Sequence, residues 1–144
     1  LDLRRLGFRC LPLSHHGRNL NAGEERGKAP SKPILLSPLS LLEIRNALNF
    51  GINRGEITRG QRDAVLSEIE AQIEKGFFRL VEASQSSIYA KAQELSNTHT
   101  PTTATRSLDL MHLAAALLSG PRAFLTFDKR QAKAATAEGL VVKP

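Results

Sequence analysis

The chain has 144 residues and a formal net charge of +6 at pH 7, a length that suits one domain with a real core. Its single cysteine, Cys10, excludes an internal disulfide and fits a reducing cytoplasm. No apolar run approaches the ~20 residues that span a membrane, and no h-region of a secretory signal stands near the start.

The charge is unevenly placed: residues 1–32 carry +4 and the remaining 112 carry +2. A basic arm can attract nucleic acid, although such segments are more often simply solvated. The stretch "LSHHGRNLNAGEERGKAPSK" scatters Gly, Asn, Pro and charge without a sustained period. Residues 1–32 are therefore read as an atypical, poorly ordered basic segment, with at most a short element over 1–10, and residues 33–144 as the folded domain.

From Pro33 the signals become regular. "ILLS" (34–37) predicts a buried strand, and Ser37-Pro38 predicts an N-cap with proline at the first helical position. The helix through "LSLLEIRNALNFG" is expected to turn Leu41, Ile44, Leu48 and Leu42 inward and to stop near Gly51 or Gly55. Thr58 opens a second helix with Val65, Ile69 and Ile73 four apart and Gly76 as its stop. "FFRLVE" (77–82) predicts a strand and residues 84–95 a third helix, followed by a loop, "SNTHTPTTATR". Ser107 is expected to cap a fourth helix, "LDLMHLAAALLSG". "AFLTF" (123–127) is a strand, 129–138 a fifth helix and "LVV" (140–142) a last strand. Strands alternating with helices predict a mostly parallel sheet covered on both faces.

Three carboxylates fall at strand ends or helix starts: Glu43, Asp109 and Asp128. In a parallel sheet such positions open on one edge, the edge where ligands usually bind. Each also has a plain structural explanation. Glu43 can be a surface acid or part of a capping pattern, Asp109 can complement a helix dipole, and Asp128 can cap the helix after it. Glu43 stands out because Leu41, Leu42 and Ile44 surround it. Converging carboxylates need their repulsion relieved, which hard, oxygen-preferring cations such as Mg²⁺ or Mn²⁺ do. Such ions activate water and stabilise a phosphodiester transition state.

At these residues the sequence resembles a family. "SPLSLLEIRNAL", "TRSLDLMHLAAAL" and "FLTFDKRQAKAATAEGLVV" resemble the last three motif blocks of PIN domains, in particular the VapC-type toxins of type II toxin–antitoxin pairs. The resemblance covers about residues 33–144 and implies a three-layer α/β/α fold with a mostly parallel sheet. It implies a cytoplasmic endoribonuclease in which Glu43, Asp109 and Asp128 surround Mg²⁺ or Mn²⁺, with Thr126 near the site. It also implies an RNA substrate, an antitoxin partner, and a homodimer built partly from the helices at 39–54 and 58–75.

The departure lies at the front. The family begins with a strand that ends in an aspartate, followed by an apolar helix, and residues 3–32 offer neither. Asp2 is the one candidate for that first acid, but "LRRLGFRC" matches poorly what should follow it. Truncation, a reading-frame shift and divergence would each produce such an N-terminus. An alternative therefore stands beside the active enzyme: a degenerate PIN-like domain that binds antitoxin or RNA.

Other features carry less. Cys10, His15 and His16 lack a second Cys/His pair at zinc-site spacing. His112 lies one turn beyond Asp109 and reads first as a plain helix-face histidine. Tyr89 is the only tyrosine and there is no tryptophan, which argues against an aromatic stacking platform. A receiver-like signalling domain is disfavoured by the wide spacing of the candidate acids Glu43, Asp109 and Asp128.

Overall fold

The computed structural model describes residues 10–13, as backbone, together with 33–121 and 123–143. The expectations for Asp2, His15 and His16 lie outside the described residues; within the basic segment only residues 10–13 are described, and there a strand stands where none was expected.

The chain has an α/β fold of the expected α/β/α kind. In chain order its elements are β1 (Cys10–Leu13), β2 (Ile34–Leu36), α1 (Pro38–Asn53), α2 (Arg59–Glu74) and β3 (Phe78–Leu80). Then come α3 (Gln85–Thr103), α4 (Ser107–Ser119), β4 (Ala123–Thr126), α5 (Lys129–Ala137) and β5 (Val141–Lys143). The strands form one sheet of order β3-β2-β1-β4-β5. β2 pairs parallel with β3 and β4 parallel with β5, while β1 is antiparallel to both β2 and β4. Four strands therefore run the same way, and β1 alone is reversed. Pro12 of β1 has no N–H, so this central strand gives its ladder one donor fewer.

Alternation along β2 divides the interior. Leu35 joins a core cluster with Ile88 and Leu95 of α3, Leu113 of α4, Phe124 of β4 and Ala134 of α5. Leu36, Ile44 and Leu48 are buried outside that cluster, and α1 packs on β2 and α2. The run Ala114–Ala115–Ala116 is fully buried, and its small side chains let α4 lie close to its neighbours.

Local chemistry explains most boundaries. The Ser37 side chain accepts from the Ser40 N–H at 3.0 Å, and Pro38 follows at the first helical position. Thr58 and Gln61 form a reciprocal capping box on α2. Gly76, the expected stop of that helix, has φ +77°, a conformation in which a side chain would be strained.

Three expectations are corrected. Leu42 is 62% exposed, because two residues before Ile44 on a 3.6-residue period lies about 200° round the helix. Helix α3 runs through the expected loop to Thr103. Pro101 withholds one N–H, and in the turn around it the Thr102 and Thr103 hydroxyls both donate to the His99 C=O. Buried Leu95 and His99 hold that turn against the core, and Ala104 ends it in the left-handed region at φ 52°. Finally, α4 is capped by Arg106 without a side-chain hydrogen bond, and Ser107 is its first residue.

Candidate metal centre and active site

Because β2 and β4 run the same way, α1 and α5 start at the same edge of the sheet. Asp128 is the N-cap of α5. Its Oδ1 accepts from the backbone N–H of Arg130 at 2.8 Å and of Gln131 at 3.2 Å, and its Oδ2 lies 3.6 Å from the Arg130 guanidinium. The capping reading of the aspartate after "AFLTF" is thus correct.

Gln131 ties this turn to α4. It is fully buried, its Oε1 accepts from the Thr126 hydroxyl at 2.5 Å, and its Nε2 donates to the Asp109 carbonyl at 3.0 Å. Thr126 in turn accepts from the Asp128 N–H at 3.1 Å. Every polar atom of the Gln131 amide and the Thr126 hydroxyl lies in a chain that fixes where Asp109 and Asp128 start from.

Asp109 feels the charge of Asp128. Burial, and next the charge of Asp128, push the Asp109 carboxyl above its ordinary value; the Arg106 backbone N–H and the charges of His112 and Arg106 act the other way. For Asp128 burial also acts upward. The backbone N–H groups of Gln131 and Arg130 and the Arg130 guanidinium outweigh it and hold that carboxyl below its ordinary value. Two neighbouring acids are thus driven apart in proton affinity, a pattern found where a site handles charge.

Glu43 lies in the second turn of α1 and has a different partner. Its Oε2 accepts from His112 Nε2 at 2.8 Å, across 69 residues of sequence. His112 is 2% exposed, whereas the Glu43 side chain is 38% exposed. To donate to a carboxylate, Nε2 must carry a hydrogen, and Nδ1 is buried without a hydrogen-bond partner among the described residues.

The structure therefore brings Asp109 to Asp128, and Glu43 to His112, with His112 close enough to Asp109 for its charge to be felt. Among the described residues, no three His, Cys, Asp or Glu side chains close on one point as a finished metal cage. The donor chemistry nonetheless fits a hard cation. Mg²⁺ is commonly held by one or two carboxylates, with water and substrate phosphate completing its shell.

Sequence reasoning missed Gln131 and underrated His112. The signal for Gln131 was its place three residues after an N-cap. For His112 it was a lone imidazole in the apolar run "LDLMHLAAA".

A family model described as PIN domain matches residues 15–137 of the chain. Comparison with curated proteins and with solved structures finds no match.

Proposed function

This chain belongs to the PIN domain family, whose members are in general metal-dependent nucleases, and from that premise we propose that it is a Mg²⁺- or Mn²⁺-dependent endoribonuclease acting as the VapC-type toxin of a type II toxin–antitoxin pair. The observation that carries the reading is the Asp109–Asp128 pair, held on the sheet edge by the buried Gln131, which bonds the Asp109 carbonyl and the Thr126 hydroxyl. Asp109, Asp128 and Glu43 would hold the cation and are the proposed catalytic residues. When bound, the cation supplies an activated water and neutralises charge on the phosphodiester. Asp128 enters that role already oriented by two backbone N–H groups, so its carboxylate needs no reordering. Arg130, beside it, places positive charge where an RNA phosphate would approach.

An antitoxin that covers the site, a cytoplasmic location and a homodimer through α1 and α2 complete the proposal. Supporting the dimer, Leu42 and Phe50 of α1 are 62% and 55% exposed, and α2 has no fully buried residue. Among the described residues no helix is long and apolar enough to cross a membrane.

A second reading, a degenerate domain that binds antitoxin or RNA without cleaving, has its own observation. The reversed β1 sets Cys10, not an acid, opposite Thr126 at the edge where the family's first aspartate is expected.

Asp128→Asn separates these readings, because asparagine caps a helix about as well as aspartate. Wild type should bind Mn²⁺ in titration calorimetry and cleave single-stranded RNA, with cleavage stopped by chelator. Asp128→Asn should fold normally, bind Mn²⁺ more weakly and cleave at least ~100-fold more slowly. Equal Mn²⁺ affinity in the two proteins would remove Asp128 from the metal set. A wild type that binds no Mn²⁺ would leave the degenerate domain as the better reading.

A further inference from the structure

We propose that His112 is a positioning residue for Glu43: from the buried face of α4 it fixes the carboxylate of α1 and leaves one oxygen ready for a divalent cation. The inference rests on the nuclease reading and adds a residue to it. At 2% exposure the imidazole has no access to substrate, so it acts only through Glu43. The hydrogen bond takes Oε2 at 2.8 Å, while Oε1 accepts none among the described residues. A glutamate with 38% of its side chain exposed would otherwise sample several rotamers, and a cation would have to order it on binding. The tether makes that ordering part of the fold. Because His112 is one turn from Asp109, a single helix sets the position of both acids.

The imidazole Nε2–H reaches the carboxylate from a position closed to solvent, so the bond is held by the packing of α4. The unpartnered Nδ1 has no packing purpose of its own, since an apolar side chain would fill α4 without burying an unpaired polar atom. What the imidazole provides that leucine would not is the bond to Glu43. Groups that hold a metal-binding carboxylate in this way typically change metal affinity by 10–100-fold.

Three variants test this, each by Mn²⁺ titration calorimetry, melting in chelator, and cleavage of single-stranded RNA. His112→Leu should melt in chelator at or above the wild-type temperature, yet bind Mn²⁺ about tenfold more weakly. The glutamine amide of His112→Gln reaches the position of the imidazole Nε2, so this variant should recover affinity to within about threefold of wild type. The shorter His112→Asn reaches only the Nδ1 position and should not recover it. Mn²⁺ affinity in His112→Leu equal to wild type would overturn the assignment alone. So would His112→Gln binding no tighter than His112→Asn, a comparison that stands even if His112→Leu fails to fold. A wild type that binds no Mn²⁺ would overturn both the assignment and the nuclease reading.

Discussion

The segment from α4 through α5 and the helix α2 are built on opposite principles. Between residues 107 and 137, each of the three elements contributes fully buried side chains, and the polar Gln131 among them is bonded at both ends of its amide. Helix α2 has no buried residue; Val65, Ile69 and Ile73 are only partly covered, and a capping box secures its start. The first region holds acids in fixed places, which a site with developing charge requires. The second is finished locally but not against its own chain, which leaves it suited to contact with another.

The largest expected effect is a matched pair of truncations. Leu113→Ala, at a fully buried position, should cost ~2–5 kcal/mol in urea unfolding. Ile69→Ala in α2 should cost less than ~2 kcal/mol, because solvent already reaches that side chain. Equal costs would erase the contrast. Next comes Gln131→Met, which keeps the volume and removes both bonds, leaving the Thr126 hydroxyl and the Asp109 carbonyl to find new partners. A loss of ~1–3 kcal/mol is expected, with Mn²⁺ affinity falling in step. Unchanged metal affinity would mean that the network holds the fold without aiming the acids.

These regions also differ in how openly the sequence announced them. Element order and most element ends follow from caps and periodicity, as at Ser37-Pro38, Thr58 and Gly76. The three acids were visible because each stands at a helix start or on an apolar face. Their partners were not: the His112–Glu43 bond spans 69 residues and depends on how α1 and α4 lie together, which no local pattern encodes. The same holds for α3, where Pro101 and the threonines read as a loop but burial of His99 and hydroxyl bonds to its carbonyl kept the helix going. The reversed β1 was equally hidden, since "CLPL" carries no sign of its direction.

A smaller effect, of opposite sign, is expected at Asp109. Its carboxyl is raised by burial and by Asp128, so folding loses stability as pH climbs from the ordinary aspartate range through the raised value. Asp128, held low, contributes in the other direction: its stabilisation is present above the ordinary range and is lost as pH falls through its depressed value. In chelator, Asp109→Asn should therefore melt above wild type at pH 7. The gain should be below about 1 kcal/mol, because the carboxyl is partly solvated, and it should vanish at pH 3. The gap should also close when Mn²⁺ is added, as only wild type gains from the ion. A variant that melts below wild type at pH 7 would show that the Arg106 N–H matters more to Asp109 than its neighbour's charge does.

The smallest change in stability should come from the exposed face of α1. Leu42 and Phe50 are 62% and 55% exposed, so replacing both with glutamine removes little that the single chain buries. Unfolding of a dilute sample should shift by no more than about ±0.5 kcal/mol. Their value lies in association. If α1 and α2 form the proposed homodimer, wild type should sediment as a dimer at micromolar concentration and the double variant as a monomer with the same circular dichroism. The contrast between the closed and open regions would then be one between chemistry and partnership. Should wild type sediment as a monomer throughout, self-association through this face is excluded. The uncovered apolar residues of α1 would then have to be explained by a different partner, and the antitoxin is the one the proposed function supplies.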